Sequence, residues 1–193
     1  MRPALILSTL VLSSLLARAG DLEGKVSAPR VKTLRDVVVY LDGKGLPAAS
    51  TPTEGAVVDQ KNIRFVPKVL PVVMGTTVRF LNSDDTAHNV TVRTEAGSTT
   101  TLGTYGKGEE KSLAFPEPGV VELLCNVHQE MYGVVLVLRN AFFTRPADDG
   151  TFVLKDVPEG EHEIVAFYPD IDPLRQKVTV GKHGVVHVDL SLR

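Results

Sequence analysis

The apolar residues of this chain come in short β-branched runs, and that pattern restricts the fold more than any other feature. Val37–Leu41, Ile63–Phe65, Thr77–Leu81, Asn89–Val92, Val120–Cys125, Val134–Leu138, Phe152–Leu154, Ile164–Phe167, Lys177–Val180 and Val185–Leu190 are each a few residues long. Asp42-Gly43, Pro118-Gly119, Asp149-Gly150 and Pro158-Glu159-Gly160 punctuate them with turn chemistry. No segment carries a sustained helical stripe with caps. Strand-length runs at this spacing predict an all-β chain built as sandwiches or barrels. Val72–Val73, with Met74-Gly75 after it, reads as one more strand, and the small, polar stretch 94–108 reads as a long loop or ribbon.

The first residues have a different character. Arg2 precedes a largely apolar run of 13 residues, Ala4–Leu16, and Ala17-Arg18-Ala19 follows. A positive start, a short apolar stretch and an A-x-A site are the marks of a secretory signal peptide over residues 1–19. The run is too short for a stable bilayer span, which needs about 20 apolar residues. Export, most simply to a periplasm, is the expectation. Without those residues 19 basic side chains face 23 acidic ones, a formal charge of −4. With no basic stripe, nucleic acid is not an expected partner.

An exported chain with one cysteine cannot form an internal disulfide. Cys125 is then a free thiol, an intermolecular bridge, a buried small hydrophobe or a metal ligand. Its neighbours favour the last. In Leu123-Leu124-Cys125-Asn126-Val127-His128-Gln129-Glu130-Met131, a histidine stands three residues after the cysteine and a methionine three after that. The polar loop 82–87 delivers His88 to the start of another strand. Thiolate, two imidazoles and a thioether form a soft set that suits copper in both oxidation states. Three of them make a trigonal site and a long methionine sulfur completes it. Calcium and magnesium want oxygen ligands, and structural zinc rarely recruits Met.

The stretches "FVPKVLPVVMGTTVRFLNSDDTAHNV" and "FPEPGVVELLCNVHQEMYGVVLVL" resemble a cupredoxin, more narrowly the plastocyanin/amicyanin-like bacterial blue copper proteins. The resemblance covers roughly residues 55–139. It implies a Greek-key β-sandwich with one type 1 copper held by His88, Cys125, His128 and Met131. It also implies that Asn89 ties the two ligand loops together by hydrogen bonds. Gln129 stands where many relatives have Pro, Asn126 where several have Ser or Thr, and Val121 and Leu123 at positions often aromatic. None of these departures removes a ligand.

Residues 148–193, with Asp149-Gly150-Thr151-Phe152 and Val157-Pro158-Glu159-Gly160, resemble a carboxypeptidase-regulatory-like (transthyretin-like) β-module. They hold about four strands, too few for a comfortable core, and Leu22–Gly43 looks like the missing opening pair. The expected organisation is a signal peptide (1–19), N-terminal strands that pair with the C-terminal module (20–50), a cupredoxin domain (51–140) and the small module (141–193). The competing assignment gives residues 22–43 to the cupredoxin.

The resemblance implies single-electron transfer between redox protein partners. Copper storage or delivery without a redox role is the alternative, although open Met- or His-rich runs are missing. An enzyme is not expected: five histidines are too few for the clusters of a multicopper oxidase. Nor does one cysteine allow a Cys-x-x-Cys-His haem motif, and no Gly-x-Ser-x-Gly occurs. His162, His183 and His187 read as surface histidines, with a second metal site as the sharper alternative. Asn89-Val90-Thr91 is formally a glycosylation sequon, read here as incidental.

Overall fold

A computed structural model describes residues 19–43, 45–50 and 52–193. The leader expected over residues 1–19 falls outside this range up to residue 18. Among the described residues the chain is all-β, with a single 3₁₀ turn at Leu34–Asp36. Two strands come first, β1 (Ala19–Ser27) and β2 (Val38–Asp42). The middle of the chain supplies β3 (Val57–Gln60), β4 (Phe65–Val66), β5 (Val69–Val73), β6 (Thr76–Asn82) and β7 (His88–Thr94). It continues with β8 (Thr99–Tyr105), β9 (Glu110–Phe115), β10 (Gly119–Leu124) and β11 (Tyr132–Leu138). The C-terminal third adds β12 (Phe143–Thr144), β13 (Thr151–Pro158), β14 (Gly160–Tyr168), β15 (Ile171–Val180), β16 (Val185–His187) and β17 (Leu190–Ser191).

The middle strands form two facing sheets, β5-β11-β10-β7-β8 and β4-β3-β6-β9. The outer strands form two more. In one, β1 lies between β13 and β16 and also pairs with β17; the other runs β12-β2-β14-β15. Strands from both ends of the chain therefore share sheets. Tyr40 of β2 faces Val165 of β14 and Phe143 of β12 in antiparallel register.

Side-chain alternation explains how the four sheets stack. In β2 and the residue before it, Val37, Val39 and Leu41 point into one apolar core with Leu22, Phe152 and Ile164. Val38 and Tyr40 point the other way, into a second cluster with Val134, Leu136 and Leu138 of β11. Val135 and Val137 of β11 face a third cluster, where Phe80, Leu123, Cys125 and Met131 lie. A strand covered on both faces has no polar side to present, so it reads as an unbroken apolar run. Burying such runs on both faces welds the outer sheets to the middle ones, because each fully buried Val or Leu contributes about 1.5–3 kcal/mol.

Three local expectations change. The stretch 94–108 contains a full strand, β8, paired with β7 after a turn at Glu95–Gly97. Its side chains are mostly exposed at the sheet edge, so polar composition is tolerated there. Ile63 lies outside a strand, with φ of 56°. The run 185–190 splits into β16 and β17. Among the described residues no helix is long and apolar enough to cross a membrane.

Candidate metal centre

One end of the middle sandwich gathers the predicted donors. β10 ends at Leu124, leaving Cys125 in the loop that follows, 4% exposed and lodged in the apolar core. The chain turns at once, with the Met131 amide donating to the His128 carbonyl (3.1 Å). That turn returns Met131 to the same core cluster as Cys125, where it is 1% exposed. His88 opens β7, the neighbour of β10 in the sheet, and is fully buried. His88, Cys125 and His128 each offer a ligand atom, and these atoms lie within 4.8 Å of one another. The two Nδ1 atoms face each other at 3.0 Å, and the rings are tilted by 59°. His128 is half-buried, beside Val127, which is 50% exposed.

A carboxylate fixes the proton of the deeper histidine. His88 Nε2 lies 2.8 Å from Asp84 Oδ2, so its N–H donates there and Nδ1 is left to face the cluster. Asp84 is itself held by two backbone amides, Asn62 N–H to Oδ1 at 2.6 Å and Ile63 N–H to Oδ2 at 2.9 Å. Asn62 and Ile63 both adopt left-handed backbone, φ 55° and 56°. For a β-branched residue that conformation costs about 1–2 kcal/mol, offset by two amides converging on one charged acceptor. Desolvation pushes the Asp84 carboxyl upward, but the bonds from Ile63, His88 and Asn62 outweigh it and hold it below the usual value. Buried Asn82 pins the loop: its Nδ2 donates to the Thr86 and Tyr105 carbonyls, and its Oδ1 accepts from the Asp84 amide.

The donor chemistry passes the test for copper. Two imidazole nitrogens and a buried thiol converge, a thioether lies in the same cluster, and no carboxylate belongs to the group. Asn89 departs from what the resemblance implied. Its amide donates to Thr101 on β8 (3.0 Å) and its carbonyl accepts from Thr91 (2.8 Å), so it ties β7 to β8. The β7–β8 register shifts between Asn89 and Thr91. Asn89 is also 5% exposed. His162 is buried, bonded through Nε2 to the Pro158 carbonyl, while His183 and His187 are exposed and join no donor cluster among the described residues. The sequence reading missed Asp84. Its only signal was a carboxylate four residues before His88 in "DDTAH".

A β-sandwich with a thiol and two imidazoles at one pole defines a mononuclear metal protein. Residues 53–138 match the family of copper binding proteins, plastocyanin/azurin family. The middle sandwich is a cupredoxin domain, and copper is the cofactor of that family. A mutant of amicyanin in its reduced Cu(I) form at pH 4 is 27% identical, with 52% of this chain and 98% of that one covered and a TM-score of 0.41. A purple cupredoxin from Nitrosopumilus maritimus is 23% identical, with 43% and 99% covered and a TM-score of 0.39. No curated protein matches the chain.

Proposed function

We propose that this chain is an exported one-electron carrier whose copper is held by His88, Cys125, His128 and Met131. The observation that carries the reading is the convergence of a buried thiol with two imidazoles, one opening β7 and one from the loop between β10 and β11. When bound, copper supplies a reversible one-electron couple. The chain's part is to keep the donors in place. β7 and β10, paired from Thr91 to Leu124, fix His88 against the Cys125 loop before any ion arrives. Asp84 holds a proton on His88 Nε2 and so keeps Nδ1 available. Val90, Phe80 and Leu123 exclude water from the thiol side, while half-buried His128 reaches toward the surface. A framework already ordered limits rearrangement on oxidation and reduction.

Residues 51–140 form the copper domain. The segments 20–50 and 141–193 together form the second module, supported by the pairing of β1 with β13 and of β2 with β14. The chain works in the periplasm between redox protein partners and catalyses no reaction of its own. Copper(II) added to the purified apoprotein tests this. The expected results are an intense visible thiolate-to-copper absorption, a narrow EPR hyperfine pattern and a reversible one-electron wave. A colourless, tetragonal Cu(II) signal with no reversible wave would overturn the carrier reading in favour of storage or delivery.

A further inference from the structure

A cleft of about 1200 Å³ opens between the middle sandwich and the outer sheets. Six basic residues line it: Arg30, Lys32, Arg35 and Arg145 from the outer segments, and Arg64 and Lys68 from the middle ones. Four acids, Asp36, Glu130, Asp148 and Asp170, share the lining. The cleft is thus formally +2 on a chain that is −2 overall. Two of the cations are engaged locally. Arg35 and Asp148 form a bidentate pair at 2.6 and 2.7 Å, and Arg145 spends its guanidinium on the Arg35 and Val69 carbonyls. Burial raises the Asp36 carboxyl above its ordinary value, against Arg145 and Lys68, which disfavours its charge. Arg30, Lys32, Arg64 and Lys68 have no carboxylate within ion-pair distance among the described residues.

Of these four, Lys68 is the one held by aromatic side chains among the described residues. Its ammonium lies 4.7 Å from the Tyr168 ring centre and 5.9 Å from that of Tyr132, and donates to Tyr168 Oη at 3.1 Å. Only one of its three N–H groups is used, so the two rings present an oriented cation to the cleft. Val66, 47% exposed, adds an apolar foothold to the lining. The cleft also adjoins the metal centre: Glu130 and Tyr132, which flank buried Met131, are both part of its wall.

We propose that this cleft is the docking site for an acidic segment of the redox partner, gripped by Arg64 and Lys68 on one wall and Arg30 and Lys32 on the other. The trough is larger than the roughly 300–1000 Å³ typical of small-molecule pockets, and it combines spread cations with an apolar foothold, as an acidic peptide requires. Complementary charge would steer the partner's approach and fix its register beside the ligand loop. The outer module gains a role by this account: it supplies half of the positive wall. The inference rests on the carrier reading for the partner's redox nature, while the binding itself stands alone.

The test uses the full mature chain, isotope-labelled, titrated with a hexaglutamate peptide at low salt. The expected result is saturable binding with amide shifts confined to residues 30–36, 64–68 and 130–132, weakened by added salt. Lys32→Glu combined with Arg64→Glu, both exposed positions, should weaken binding by about ten-fold or more. Absent saturation, shifts mapping elsewhere, or unchanged binding in the double variant would overturn the proposal. Inorganic phosphate bound at the same residues as tightly as the peptide would also overturn it, in favour of a small-anion site. The visible copper absorption of both proteins is read separately and should be identical. Its absence from both would sink the carrier reading and leave the peptide result standing.

Discussion

Replacing Asp84 by alanine removes one acceptor from three donors at once. Two are backbone amides, Asn62 and Ile63, at an exposed turn where water can take over. The third, His88 Nε2–H, belongs to a side chain with no solvent exposure. A buried donor left without a partner costs about 1–3 kcal/mol. With the two amides rehydrated, that buried donor sets the loss, and the apoprotein should lose about 1–3 kcal/mol. The copper centre should suffer separately. Removing the acceptor of a ligating histidine typically lowers metal affinity 10–100-fold, about 1.4–2.7 kcal/mol. Urea unfolding of the apoprotein reads the first effect, and competition with a chelator of known affinity reads the second. Asp84→Asn should fall between wild type and Asp84→Ala, because one amide group cannot accept at both former oxygen positions. An Asp84→Ala protein with lower stability but unchanged copper affinity would refute the claim that Asp84 orients His88 for metal.

Met131→Leu should retain copper and its visible colour with a shifted reduction potential, whereas Cys125→Ser should lose the colour; voltammetry and optical titration decide, and an unshifted potential would argue against Met131 as a ligand. Asp36→Asn should stabilise the fold at pH 7, because burial raises the carboxyl's folded pKa and its ionised form costs stability above that value. The gain should vanish as pH falls below the ordinary value of 3.8, where the group is protonated folded or unfolded; urea midpoints at both pH values check the sign. Gly24→Ala should cost about 3 kcal/mol or more, since a Cβ there would lie 1.7 Å from the Val188 carbonyl oxygen and force two backbones apart. Near-wild-type stability of that variant would contradict the close packing of β1 against the C-terminal segment.

The metal cluster was legible because most of it is local. Cys125, His128 and Met131 occupy seven consecutive residues, and a turn of that length can bring all three to one pole. His88 was legible from its place at the start of a strand. Asp84 was not, because its role depends on Asn62 and Ile63, contributed by a separate hairpin and held in left-handed backbone. Strand β8 was hidden by its composition, since an edge strand needs no apolar face and its order comes from pairing with β7. The runs Val37–Leu41 and Val134–Leu138 announced strands but not layers. With both faces buried, period-two alternation disappears, and the partners on each side come only from the assembled sheets.

X-ray absorption at the copper edge, recorded on the protein in its Cu(I) and Cu(II) states, tests the central claim most directly. The account predicts a first shell of one thiolate sulfur and two imidazole nitrogens in both states, with little change between them. A shell of oxygen and nitrogen alone, or one that rearranges substantially on reduction, would contradict it.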